Sequence, residues 1–399
     1  MKRLLLSLTH TLLLFLLSST TYAGEWSGYS GLEFRYFTQE AFTRPQDHNT
    51  DLSLAFEAEY FHTWDNDNQL FAFVPFIRID QRDSDRTHFD VRELTYLKAA
   101  ETWELRLGIR KVFWGVVEFN HLVDIINQTD LVENIDNEDK LGQPMINLAL
   151  IHDWGTVDLF VMPWFRERQF PGLQGRLRTQ PRVDEDLARF ESSAKEKHVD
   201  FAIRYANYFG DWDIGIAHFY GTSRDPRFIP VLSMAGNPVL APYYDIINQT
   251  SLDLQATKGN MLWKLEALHR SGQGDTYNAV AGGFEYTFVG VFDSVMDLGI
   301  LGEYHYDDRG ESAPTIFDDD IGMGARLAFN DAQSSEALVG LIIDRDNGGR
   351  FFNIEASRRI GQNWLLELQG RFLFDIDRSD PAYSLNRDDY LELFLSYHF

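Results

Sequence analysis

Apolar and polar residues alternate with a period of two from Glu25 to Phe399, and no stretch fits the i, i+3, i+4, i+7 spacing of an amphipathic helix better. Leu52, Leu54, Phe56, Ala58 and Tyr60 alternate with Ser53, Ala55, Glu57 and Glu59. Trp263, Leu265 and Ala267 alternate with Lys264 and Glu266, and Leu366, Leu368, Gly370 and Phe372 with Glu367, Gln369 and Arg371. Similar runs occupy 25–38, 68–81, 88–99, 102–113, 145–154, 157–166, 197–209, 212–222, 248–257, 275–288, 294–306, 319–329, 335–345, 350–359 and 388–399. The pattern predicts about 18 strands, each near the ~9–11 residues that cross a bilayer when tilted.

The connections sharpen this prediction. Short turns at Asp65-Asn66-Asp67-Asn68, Gly155-Thr156, Gly210-Asp211, Asn330-Asp331 and Gly361-Gln362-Asn363 carry residues that tolerate positive φ. Long connections near 39–49, 115–144, 167–196, 223–247, 307–318 and 377–387 fall between them. Short links on one rim and long ones on the other describe an all-β, antiparallel transmembrane barrel with short periplasmic turns and long extracellular loops. Aromatic side chains at strand ends, among them Trp26, Trp64, Trp103, Trp154, Trp212, Tyr286 and Trp364, fit two interfacial girdles better than the core of a β-sandwich. In the last strand Leu391, Leu393, Leu395, Tyr397 and Phe399 share the outward face. An amphipathic strand ending on Phe resembles the signal read by the outer-membrane assembly machinery, with Tyr397 and Phe399 carrying it.

Composition then narrows the class. Lys2 and Arg3, the apolar stretch Leu4 to Leu17 and the Thr21-Tyr22-Ala23 site read as a secretory signal peptide over 1–23, leaving 24–399 as the barrel. A membrane-anchor helix is the alternative, but the apolar run is interrupted. With 36 Lys and Arg against 61 Asp and Glu, the net charge of -25 argues against nucleic acid as a partner. The absence of Cys removes thiolate metal sites and thiol nucleophiles. No G-x-S-x-G, H-E-x-x-H or Walker loop is present, and no metal or other cofactor is expected. The runs Asp318-Asp319-Asp320 and Asp388-Asp389 could bind Ca²⁺ but lack EF-hand spacing.

If the polar alternates face inward, the lumen carries Arg35, Glu57, Arg78, Glu104, Arg106, Arg110, Arg204, Lys264, Glu266, Arg326, Glu367 and Arg371. Charge inside a barrel needs water or an opposite charge, so the wall is either a hydrated pore or a set of bracing ion pairs. The arginines could guide an anionic solute while paired. The third long-side connection, 115–143, is too apolar for a solvated loop, with Val116, Val117, Leu122, Val123, Ile125 and Ile126 among its residues. It is expected to fold inward and constrict the pore, setting Glu118, Asp124, Asp130, Glu133 and Asp136 opposite the lumen arginines and creating a transverse field. An outward lid is the alternative. In the next loop Arg166, Arg168, Arg176, Arg178, Arg182 and Arg189 either meet lipopolysaccharide phosphates or sit in a solvated, charge-balanced loop.

The stretches Arg92-Glu93-Leu94-Thr95-Tyr96-Leu97 and Leu107-Gly108-Ile109-Arg110-Lys111-Val112-Phe113-Trp114-Gly115 resemble a group of uncharacterised Gram-negative porin-like barrels and, more distantly, alginate-export channels. Gly302-Glu303-Tyr304 and Gly324-Ala325-Arg326 extend the likeness. The resemblance implies a monomeric outer-membrane channel and supplies no substrate. The expectation is therefore a non-enzymatic channel in the outer membrane of a Gram-negative bacterium, contacting lipid and lipopolysaccharide. It would pass small hydrophilic solutes, anions among them, by passive or substrate-preferring diffusion. The alternatives are a closed structural, adhesin or lipid-traffic barrel, and an outer-membrane barrel hydrolase.

Overall fold

The computed structural model describes residues 24–399; the expected signal peptide, 1–23, lies outside the described residues. Eighteen antiparallel strands form one closed sheet. They are β1 (Glu25–Phe37), β2 (Thr50–Trp64), β3 (Gln69–Asp80), β4 (His88–Ala99), β5 (Trp103–Arg110), β6 (Gln143–His152), β7 (Gly155–Met162), β9 (Asp200–Phe209) and β10 (Trp212–Thr222), followed by β13 (Ile246–Lys258), β14 (Met261–Gly272), β15 (Gly274–Phe288), β16 (Asp297–Asp307), β17 (Asp319–Ala328), β18 (Glu336–Asp344), β19 (Arg350–Ile360), β20 (Trp364–Phe374) and β21 (Tyr390–His398). Closure comes from β1, which pairs with β2 on one edge and with β21 on the other, from Tyr29 opposite His398 to Phe37 opposite Tyr390.

The alternation places its two faces as expected, with the usual burial order of a soluble protein reversed. On β1, Leu32 and Tyr36 are 47% and 42% exposed, whereas Glu33 and Arg35 between them are 4% and 6% exposed. A lipid-facing outer surface accounts for this, because each strand gives only alternate residues to the bilayer. Leu391, Leu393, Leu395, Tyr397 and Phe399 all lie on that outer face. Phe399 stacks on Phe56, and Tyr397 meets Trp364 edge to face.

One rim carries the tight turns. Asp65, Asn66 and Asp67 all adopt left-handed backbone there, the conformation that Asn and Asp tolerate through local hydrogen bonding. The other rim carries the long loops, though there Gln273 alone joins β14 to β15 and only 345–349 join β18 to β19. Two loops expected to be irregular contain strands. β11 (Arg227–Leu232) and β12 (Pro238–Tyr244) form a hairpin, to which β8 (Arg189–Phe190) adds in parallel. Pro230, Pro238 and Pro242 conceal this small sheet from a sequence reading, since each removes a ladder donor; a small sheet with free edges can spare them.

The third loop, 111–142, enters the barrel. Its Trp114, Val123, Ile125 and Ile126 pack against the inward-facing Met145, Phe160, Met162, Ala202, Ala217, Phe219 and Ile247, so one side of the lumen is a dry core. Burying that apolar surface, at about 25 cal/mol per Å², drives the inward fold and excludes the outward lid.

Candidate functional site

The root of the third loop is tied to the strands it leaves. The Val112 amide donates to Asn127 Oδ1 at 2.8 Å, and the Asn127 amide nitrogen donates to the carbonyls of Arg110 and Leu141. From there the chain crosses the lumen. Glu266 on β14 accepts from the backbone amides of Val116, Val117 and Val123 at 2.6, 3.0 and 3.1 Å, and Glu303 on β16 accepts from those of Glu118 and Phe119. Beyond them the Phe119 ring lies against Gly322 of β17 and Gly340 of β18, in space that a Cβ at either position would occupy. Two glycines on the lumen face thus form a slot for the tip of the loop, a close approach that no larger residue permits.

The loop's carboxylates then reach the wall at three places. Glu118 pairs with Lys264 at 3.4 Å and with Arg326; Glu133 pairs with Arg78 at 2.7 Å and Arg92 at 3.5 Å; Asp136 pairs with Arg371 at 3.1 Å. These acids touch the cations that face them, so no gap separates the two. Asp124 instead pairs with Lys140 inside the loop at 3.2 Å, and Asp130 is buried where the loop bridges to Gln169.

The remaining wall residues fall into two groups. Arg35 and Arg78 belong to a buried network on β1, β3 and β4. Glu33 lies 2.7 Å from both Arg78 and Arg86 and 3.4 Å from Arg35, Arg35 lies 2.6 Å from Glu392, and Glu57 pairs with Arg92 at 2.8 Å. Arg86 also donates to the Val132 carbonyl of the third loop. Toward the short-turn rim the charges are more hydrated. Glu104 pairs with Arg106, Arg106 and Arg110 both donate to Asn147, and Arg204 clasps Asp253 at 2.5 Å. Glu367 stands on β20 opposite Phe394.

Sequence reasoning missed Arg86, Arg92, Glu392, Phe119 and its glycine slot. Arg86 sits in a connection too short to attract attention, and the glycines look like ordinary strand alternates. The basic loop after β7 also differs from both expectations, because Arg168, Arg176 and Arg178 are buried rather than offered to solvent or lipopolysaccharide. Arg176 donates to Asp388 at 2.5 Å and to the carbonyls of His48, Gln39 and Arg387, with its guanidinium 4.3 Å from the Phe37 ring. Leu177 packs on Phe37 and Tyr390 beside it. This loop caps part of the long-loop mouth, and Asp388 holds an arginine instead of a cation from solution.

Beside the third loop lies a cavity of roughly 460 Å³, between the loop and the wall from β14 to β20, reaching the long-loop rim near Gln273, Phe317 and Leu385. At its edge, Asp225 lies 2.8 Å from Arg168 and 3.3 Å from Arg270. Enclosure alone would raise its carboxyl, but the two guanidiniums outweigh that and hold it well below the usual carboxylate range.

No protein-family model and no curated protein matches the chain. Among solved structures it is similar to Wzi of Escherichia coli, an outer-membrane protein involved in group 1 capsule assembly and described as a carbohydrate-binding β-barrel. That likeness has a TM-score of 0.54 at 10% identity, covering 93% of this chain and 84% of Wzi. A mutant porin of Rh. blastica aligns over 94% of this chain and 100% of its own, with 10% identity and a TM-score of 0.45. At these identities the likeness concerns fold alone. The fold is thus a closed antiparallel β-barrel like that of Wzi, and the resemblance read from Arg92-Glu93 and Trp114-Gly115 reaches no further than this class of fold.

Proposed function

We propose that this barrel is a narrow, solute-preferring channel of the outer membrane of a Gram-negative bacterium, with the third loop as its constriction. The short-turn rim faces the periplasm, the long loops face outward among lipopolysaccharide, and the Tyr397–Phe399 end serves recognition by the outer-membrane assembly machinery. One observation carries the reading: the third loop is fastened across the lumen to β3, β14, β17 and β20, with a cavity beside it. A loop held by buried ion pairs and a dry core is a fixed constriction rather than a flexible lid.

Purified protein in planar bilayers should give small, discrete conductance steps, and deletion of Val116 to Leu141 should enlarge them several-fold. Well-folded protein that never conducts would sink the channel reading. It would favour a closed barrel that binds a ligand at its outer mouth, which the buried Arg176 clamp makes the second reading. Carbohydrate, the ligand class in the description of Wzi, is the first to try in that case.

A further inference from the structure

We infer that the cavity beside the third loop takes an amphipathic small solute: an aromatic or alkyl body carrying an uncharged, hydroxyl-bearing head. This rests on the reading above that the cavity is the part of the lumen a solute occupies. The first observation is the wall of β18, β19 and β20. Register sets Ile342 opposite Phe351 and Phe351 opposite Leu373, giving an apolar row on the lumen face, with Leu338 nearer the short-turn rim. Phe317, Leu385 and Ile135 close over this row from three loops.

These side chains are not needed for lipid contact, because Val339, Leu341 and Ile343 on the alternate face of β18 already supply it. Nor are they sealed into the dry core, which lies on the opposite side of the lumen. Ile342, Phe351 and Leu338 are partly exposed beside lumen positions that are polar or charged, Asn353, Glu355 and Arg371. Partly open apolar surface in a concave site is what an apolar ligand body displaces water from.

The second observation is that the cavity's cations are already matched. Arg168 and Arg270 share Asp225, Arg309 pairs with Asp307 at 2.5 Å, Arg371 with Asp136 and Glu355, Arg224 with Asp200 at 2.6 Å, and Lys140 with Asp124. An anionic head would have to break one of these pairs. An uncharged head need not, and Asn353 Oδ1 is a buried acceptor that has no hydrogen-bond partner among the described residues. Asn353 lines the cavity on β19 two residues from Phe351, on the same face, so a small turn of its amide would meet a hydroxyl while the apolar body lies along the row.

The test is calorimetric titration of the full barrel in detergent with phenyl β-D-glucoside, D-glucose and benzoate, alongside swelling of proteoliposomes in the two sugars. Phenyl glucoside should bind at least tenfold more tightly than glucose or benzoate. Ile342→Thr and, separately, Leu338→Thr should erase most of that preference, with heat-modified mobility on gels unchanged. Equal binding of glucose and phenyl glucoside, or a preference that survives both substitutions, overturns the inference. Tightest binding of benzoate overturns the uncharged head. Conductance without aromatic preference defeats this inference and leaves the channel standing; aromatic preference without conductance or swelling defeats the channel and leaves the binding site.

Discussion

The two sides of this lumen solve the same problem in opposite ways. The wall of β1, β3 and β4 carries four arginines, Arg35, Arg78, Arg86 and Arg92, pinned by Glu33, Glu57, Glu133 and Glu392 with little access to water. The wall of β18 to β20 sets Ile342, Phe351 and Leu373 in one row and lets the cavity lie against Ile342 and Phe351. A charged wall can be emptied of water only if every charge is matched, so the first side has become structure. The apolar row of the second side needs no such matching and keeps its space open. The third loop joins them: Glu133 completes the ion network at one end, and Phe119 fills a glycine slot at the other.

The largest effect is expected where the matching is tightest. Glu33→Gln removes the carboxylate shared by Arg35, Arg78 and Arg86 and leaves buried guanidiniums facing one another. Breaking one partner of a buried ion pair costs about 3–5 kcal/mol, and a shared partner belongs at the upper end. The thermal transition read by heat-modified mobility should fall by many degrees, and the loss of Glu133 anchoring should raise the conductance noise. A variant as stable as the parent would mean that this wall is hydrated, and the contrast between the two sides would collapse.

A smaller effect is expected at the other end of the loop. Gly340→Leu places a side chain where the Phe119 ring and the Asn353 amide now lie, and the strand has no slack to move. The tip must leave its slot while the ion network at Glu133 stays whole. Stability should fall by about 1–3 kcal/mol, the usual cost of overpacking, whereas single-channel conductance should rise clearly. Unchanged conductance would show that the tip does not set the constriction.

How much of this was legible beforehand follows from the same contrast. Strand number and the lipid face were readable because the alternation is physical: a residue on β1 either meets lipid, like Leu32, or does not, like Glu33. The inward fold of the third loop was readable from its Val and Ile content, since such a loop has to bury itself. The partners of each charge were not readable. Arg78 and Glu133 are 55 residues apart, and only closure of the barrel with entry of the loop brings them within 2.7 Å. The apolar lumen row was hidden because β18 is apolar on both faces, so nothing in the alternation marked Leu338 and Ile342 as facing inward. Phe119 gave no signal at all, because its slot consists of absent side chains.

The smallest effect serves as a control lying outside both walls. Glu167 sits in the loop after β7, where burial and, next to it, the Glu196 carboxylate push its own carboxyl up to about 7. A folded-state value above the unfolded one, near 4.3–4.5, means that the folded chain binds this proton more tightly, so stability falls as pH rises between about 4.5 and 7 and stays lowered above. Glu167→Gln keeps the neutral form at every pH. Its melting temperature should therefore match the parent at pH 4 and exceed it by a few degrees at pH 8, with conductance and solute preference unchanged at both. Because Glu167 remains partly exposed, solvent screening keeps this gain small. A change in solute preference with the pH shift would mean that the mouth loop governs what the lumen admits, and the division of labour between the two walls would need a third party.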